Sequence, residues 1–229
     1  AKEYAKALGN FSLKDGYLEG KEFIITWCFG HLIELEHDKV YRPDGSWSKS
    51  YLPLIPNKFL YKIGSDNKGN IDKGKKKQLE TIRNLAFKCN EIINATDADR
   101  EGELIFLYVY DFLKINLPYK RLWISSLTEG DIRKGFKNLL SPKDVENLGK
   151  SAKARAIADW LVGVNGTQAS TLHFGKGILL TIGRVQTAIL KIICERYLKN
   201  KNFKPTFTYK IFTEHNLNVQ FSSATEPFQ

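Results

Sequence analysis

The chain is predicted to be an α/β protein: a Rossmann-like, mainly parallel sheet, then a helical domain, then the first strand of an incomplete further domain. Three observations carry this. Short apolar runs alternate with helix-period segments up to about residue 140, the pattern of β-α-β units. From 141 to 203 only the helical period persists. TFTYKIFTEH, 206–215, then reads as a strand, and a strand cannot fold alone. Domains are therefore expected at 1–140, 141–203 and 204–229.

The elements follow in order. AKEYAKALGNF opens in a helix, with Tyr4 and Leu8 at i, i+4 and Gly9 as its stop. An α/β domain ordinarily supplies a strand before such a helix, so residues upstream are expected. EFIITW, 22–27, is a strand; FGHLIEL follows, then a loop rich in Tyr, Pro, Gly and Ser to about residue 58. The Lys-rich stretch 65–77 is a solvated loop leading into QLETIRNLAFKC, a helix with Leu79, Ile82 and Leu85/Ala86 on one face. EIINAT is a short apolar strand, and ELIFLYVYDFL a helix with Leu104, Ile105, Tyr108 and Phe112 in phase. RLWISS, 121–126, reads as a strand, and TEGDIRKGFKNLL as a helix capped by Thr128. SAKARAIADWLVGVN places Ala152, Ala156, Trp160 and Val164 on one stripe, with Trp160 in the core. Val185, Ile189 and Ile192/Ile193 mark another helix after TIGR.

Bulk properties narrow the function. Apolar residues make up 42% of 229, so a core is within reach and global disorder is disfavoured. The formal charge of +10 suggests an anionic partner, nucleic acid first, against the plainer reading of a soluble basic protein. Cys28, Cys89 and Cys194 form no CxxC pair, which argues against zinc ribbons and dithiol redox sites and fits a reduced, cytoplasmic setting. There is no apolar run of membrane-spanning length and no signal peptide, so no membrane is expected.

The chemistry concentrates in ATDADREGELIF, 95–106, where Asp97, Asp99, Glu101 and Glu103 stand at a strand-to-helix junction. One acid can cap the helix, but a cap needs one side chain. Close carboxylates repel unless a cation lies between them. Asp97, Asp99 and Glu101, at i, i+2 and i+4, could converge on one hard ion. Oxygen-only donors favour Mg²⁺ or Mn²⁺ over zinc. The alternative of an EF-hand loop fails at its twelfth position, which is Tyr108 rather than a glutamate.

These residues resemble the Toprim metal motif of type IA DNA topoisomerases. WCFGHLIEL upstream, and RLWISSLT, RAIADWLVGVN and TIGRVQT downstream, are similar to further motifs of that family in the same order, in versions closer to its topoisomerase III branch. The resemblance covers nearly the whole chain. It implies a Toprim fold and ATP-independent cleavage, passage and religation of single DNA strands, with a Mg²⁺ cluster at Asp97, Asp99 and Glu101. The family's first Toprim carboxylate would lie just before residue 1, since Glu3 sits within the helix. The nucleophilic tyrosine would lie beyond residue 229, because none of the ten tyrosines has the PRTDxxY context. This chain alone is therefore expected not to relax supercoils. Toprim primases and nucleases, and a non-catalytic single-strand DNA-binding module, are the competing readings; REGELI and GRVQT argue against the first two.

For the DNA path, TIGRVQT places Gly183, Arg184, Val185, Gln186 and Thr187 at a helix start. There a phosphate suits the dipole and Gly183 permits close approach. An exposed arginine is the plainer alternative, and the family resemblance favours DNA. Arg155 and Asp159 are spaced for a surface ion pair, and the resemblance places Arg155 on the DNA backbone. Trp47 could stack on a base or pack in its loop. His31 is equally readable as buried or functional. Gln168 stands where relatives often carry arginine, so a phosphate contact is expected to be missing there. The expected partner is single-stranded DNA, bound by a monomer.

Overall fold

The computed structural model describes residues 1–206, 212–215 and 219–222. The chain divides into two compact units, Ala1–Gly183 and Arg184–Gln229.

The first unit opens with α1 (Lys2–Leu8), which stops at Gly9, where φ is +137°. Side chains with a Cβ rarely adopt that value. Three antiparallel strands follow: β1 (Phe11–Lys14), β2 (Tyr17–Gly20) and β3 (Ile24–Thr26). Asp15-Gly16 makes the β1–β2 turn, with Gly16 at φ +84°. The sequence reading found β3 but not this hairpin. β4 (Ile33–Leu35) pairs antiparallel with β5 (Tyr61–Ile63) across the long loop. α2 (Lys73–Ala86) is capped by Asp72, whose carboxylate accepts the Lys75 N–H at 3.0 Å.

β6 (Ile92–Asn94), α3 (Arg100–Phe112) and β7 (Tyr119–Arg121) form the β-α-β unit that carries the acidic junction. β6 and β7 pair in parallel, the only parallel pair among the described residues, so the α/β class holds while most strand pairing is antiparallel. The strand expected at 121–126 lies earlier. Arg121 ends β7 and is also bridged to Leu140 on its other side, with backbone bonds of 2.9 Å in each direction. α4 (Glu129–Lys137) starts at Thr128 as expected.

α5 (Pro142–Phe174) runs for 33 residues, about 50 Å at 1.5 Å per residue. Its Ala152 joins Leu32, Ile33, Leu79, Leu104, Tyr108, Val109 and Leu113 in the core, with Ala156 packed at the edge. A Cβ on Gly149 would meet Leu107 at 2.7 Å, so glycine permits the close approach of α3 and α5. Trp160, expected in the core, is half-buried at its edge: it stands edge-on to Tyr41 and Phe59, with its N–H donated to the Glu36 carbonyl at 3.1 Å. Each buried aliphatic side chain here contributes about 1.5–3 kcal/mol.

The second unit holds α6 (Gln186–Lys201) and an antiparallel hairpin of β8 (Phe212–His215) and β9 (Val219–Ser222). The strand expected at 206–215 is therefore not solitary: its 212–215 part pairs with β9, and 207–211 lies outside the described residues.

Candidate functional site

The acidic junction is built on the end of β6. The chain leaves Asn94, passes Ala95 to Ala98, and enters α3 through Asp99, whose backbone is extended at φ −149°. Asp99 is the N-cap: its carboxylate accepts the Gly102 N–H at 2.7 Å. A Cβ on Gly102 would lie 2.2 Å from the Asp97 carbonyl oxygen, so this position has room only for glycine.

Beneath the exposed acids lies a buried pair. Glu103 is 1% exposed and Arg121 0%. Glu103 Oε2 sits 3.0 Å from Arg121 Nε and accepts Asn94 Nδ2–H at 3.0 Å. Burial pushes the Glu103 carboxyl above the ordinary range, and the Arg121 charge pulls it back. Burial likewise lowers the Arg121 value, opposed chiefly by Glu103. The fourth acid of the cluster is thus an internal counter-ion. The sequence signal for this was available but weak: a glutamate beside Leu104 on the apolar face needs a buried cation, yet nothing in the spacing identifies Arg121.

Asp97, Asp99 and Glu101 are exposed. Among the described residues, no three His, Cys, Asp or Glu side chains are grouped so as to hold a metal ion, so the expected three-carboxylate convergence is not formed. The reason is local. Asp99 turns back to cap α3, and Glu101 points toward His31, with Oε2 3.6 Å from Nε2. The donor set still fits a hard cation. Mg²⁺ commonly takes one or two carboxylates and completes its shell with water and phosphate oxygens.

His31 and Glu101 open onto a cleft of about 370 Å³ that is also lined by Glu34, Arg155, Asp159 and Trp160. Arg155 Nε lies 3.7 Å from Asp159 Oδ2, the expected i, i+4 pair. The fold therefore brings three separate motifs — GHL, DREGE and RAIADW — to one cavity. In the second unit, Gln186 and Thr187 begin α6, with Val185 as N-cap and Arg184 just ahead of it. Gly183 closes the first unit.

Trp47 is 39% exposed, and its indole N–H is donated to Asp38 Oδ2 at 3.2 Å. Asp38 also pairs with the buried Arg42 and accepts Gln168 Nε2–H at 2.8 Å. Gln168, where a phosphate contact was expected to be missing, is 1% exposed. It faces inward as a partner of a buried acid 130 residues away.

Comparisons with known proteins agree with this layout. The Toprim domain family matches residues 1–127 and the DNA topoisomerase family matches 143–227. DNA topoisomerase 3 of Bacillus licheniformis is 41% identical over 207 residues, covering 89% of this chain and 27% of that protein. The Bacillus cereus protein of the same name is 39% identical over 217 residues, covering 92% of this chain and 28% of that one. The solved full-length topoisomerase I from Thermotoga maritima aligns with a TM-score of 0.61 at 26% identity, over 93% of this chain and 31% of that one. The chain spans about 28% of the length of the curated relatives it matches.

Proposed function

Because the chain belongs to the Toprim family, and in it resembles the type IA DNA topoisomerases of the topoisomerase III kind, we propose that it supplies the metal-holding and strand-holding part of such an enzyme. That enzyme would carry out ATP-independent single-strand cleavage, passage and religation. The observation that carries this reading is the β6–α3 junction, which presents Asp97, Asp99 and Glu101 to solvent, with Glu101 lining a cleft shared with Arg155.

In this reading Asp97 and Asp99, with water, hold Mg²⁺, and Mn²⁺ could replace it. When bound, the ion supplies charge neutralisation and orientation at a phosphate oxygen. Glu101 completes the acidic face, with His31 fixing its direction. Arg155 and the Gly183 to Thr187 segment take backbone phosphates, and the exposed face of Trp47 offers a base a stacking surface. The nucleophile is assigned to none of the ten tyrosines here, since none has the PRTDxxY context. Working as a monomer in the cytoplasm belongs to the same proposal. Among the described residues no helix is long and apolar enough to cross a membrane.

The test is fluorescence anisotropy with a labelled single-stranded oligonucleotide across a salt series. Affinity should fall steeply with salt. Arg155→Ala and Arg184→Ala should each weaken binding and lower the log–log salt slope by about 0.7 per lost phosphate contact. Binding that ignores salt and both substitutions would contradict the proposed path.

A further inference from the structure

Arg121 takes no part in the chemistry above, yet both of its terminal nitrogens donate to the junction. Its Nη1 donates to the carbonyl oxygens of Asn94 at 3.0 Å, Thr96 at 2.7 Å and Leu122 at 2.8 Å. Its Nη2 donates to the Asp97 carbonyl. Tyr4, from α1, donates its hydroxyl to the intervening Ala95 carbonyl at 3.2 Å. Four successive carbonyls, 94 to 97, are thus each held by a side-chain donor at the point where the strand ends and the acids begin. The Asp97 carbonyl also accepts the Asp99 N–H at 2.8 Å, and Gly102 lets α3 close on it from the other side.

A strand end leaving a sheet would otherwise present these carbonyls to water and move with its loop. A guanidinium suits several acceptors spread along a backbone, because its five donors form a rigid planar fork. Glu103 balances the charge, so the fork is spent on backbone rather than on an acid at the surface. Trp123 covers it, with its ring centroid 5.1 Å from Arg121 Cζ.

We propose that Arg121 is a positioning residue for the metal-holding carboxylates: it fixes the backbone of Asp97 from below, so that only side chains need turn for Asp97 and Asp99 to meet one cation. This rests on the metal-holding reading of the junction. Lysine at 121 keeps the charge beside Glu103 but loses the fork, and outer partners of this kind are worth about 10–100-fold in metal affinity.

The experiment is Mn²⁺ binding to the full chain, followed by the electron paramagnetic resonance signal of free Mn²⁺, with circular dichroism confirming folded protein at the same temperature. Wild type should bind Mn²⁺ and Asp97→Asn should lose it. Arg121→Lys should weaken it about 10–100-fold. Arg42→Lys, which disturbs the other buried ion pair, should leave it unchanged. If Arg121→Lys does not fold, the charge-neutral pair Arg121→Gln with Glu103→Gln, which strands no buried charge, decides by the same criterion. Wild-type affinity in these Arg121 variants, or an equal loss in Arg42→Lys, overturns the positioning role while the metal reading stands. No Mn²⁺ binding by wild type, or undiminished binding by Asp97→Asn, overturns both.

Discussion

Gly102 carries the tightest approach at the junction. An added Cβ would stand 2.2 Å from the Asp97 oxygen and 2.9 Å from the Asp97 nitrogen, and neither atom can yield while Arg121 and the Asp99 N–H hold that peptide. Gly102→Ala should therefore cost about 1–3 kcal/mol, the range of overpacked cores. The urea midpoint should fall with the slope unchanged; an unaltered midpoint would show that the junction has slack. At this scale the exposed acids were legible, because carboxylates at i, i+2 and i+4 have few bland explanations. Their undersides were not. Glu103 and Arg121 are 18 positions apart, and Asp38 and Gln168 are 130 apart, so no period connects them. A single polar residue reads the same whether it faces solvent or a buried partner.

Helices were easier to read than strands. α3 and α4 begin at caps the sequence shows, and α5 begins with a capping box it did not draw attention to. The Ser141 backbone N–H and hydroxyl both lie 2.8 Å from Asp144 Oδ2. The Ser141 hydroxyl, and then its backbone N–H, hold the Asp144 carboxyl below its ordinary value of 3.8. A depressed acid contributes stability that is present above the unfolded value and lost as pH falls through the folded one. Acid titration should therefore fray the start of α5 below about pH 4, and Ser141→Ala, which keeps the backbone N–H bond but loses the hydroxyl, should shrink that step. Hydrogen exchange at residues 143–146 would show it; protection independent of pH between 5 and 3 would exclude it. The strands run three or four residues, too short for alternation to fix their ends. This explains the missed β1–β2 hairpin, despite its Asp-Gly turn, and the displaced β7.

At the scale of the molecule, a formal charge of +10 coexists with an acidic face at one strand end. A basic chain attracts phosphate at long range, and a carboxylate cluster repels it at contact unless a cation intervenes. The order of motifs along the chain was legible. The cleft that collects His31, Glu101 and Arg155 was not, because it depends on α5 packing across α3. The central claim is that Asp97 and Asp99 hold a divalent ion for a DNA phosphate. Isothermal titration of Mg²⁺ into the chain, with and without a single-stranded oligonucleotide, tests it most directly. Wild type should take up one ion per chain, more tightly with the oligonucleotide present, and Asp97→Asn with Asp99→Asn should take up none at that site. Equal uptake by wild type and the double variant would contradict the account.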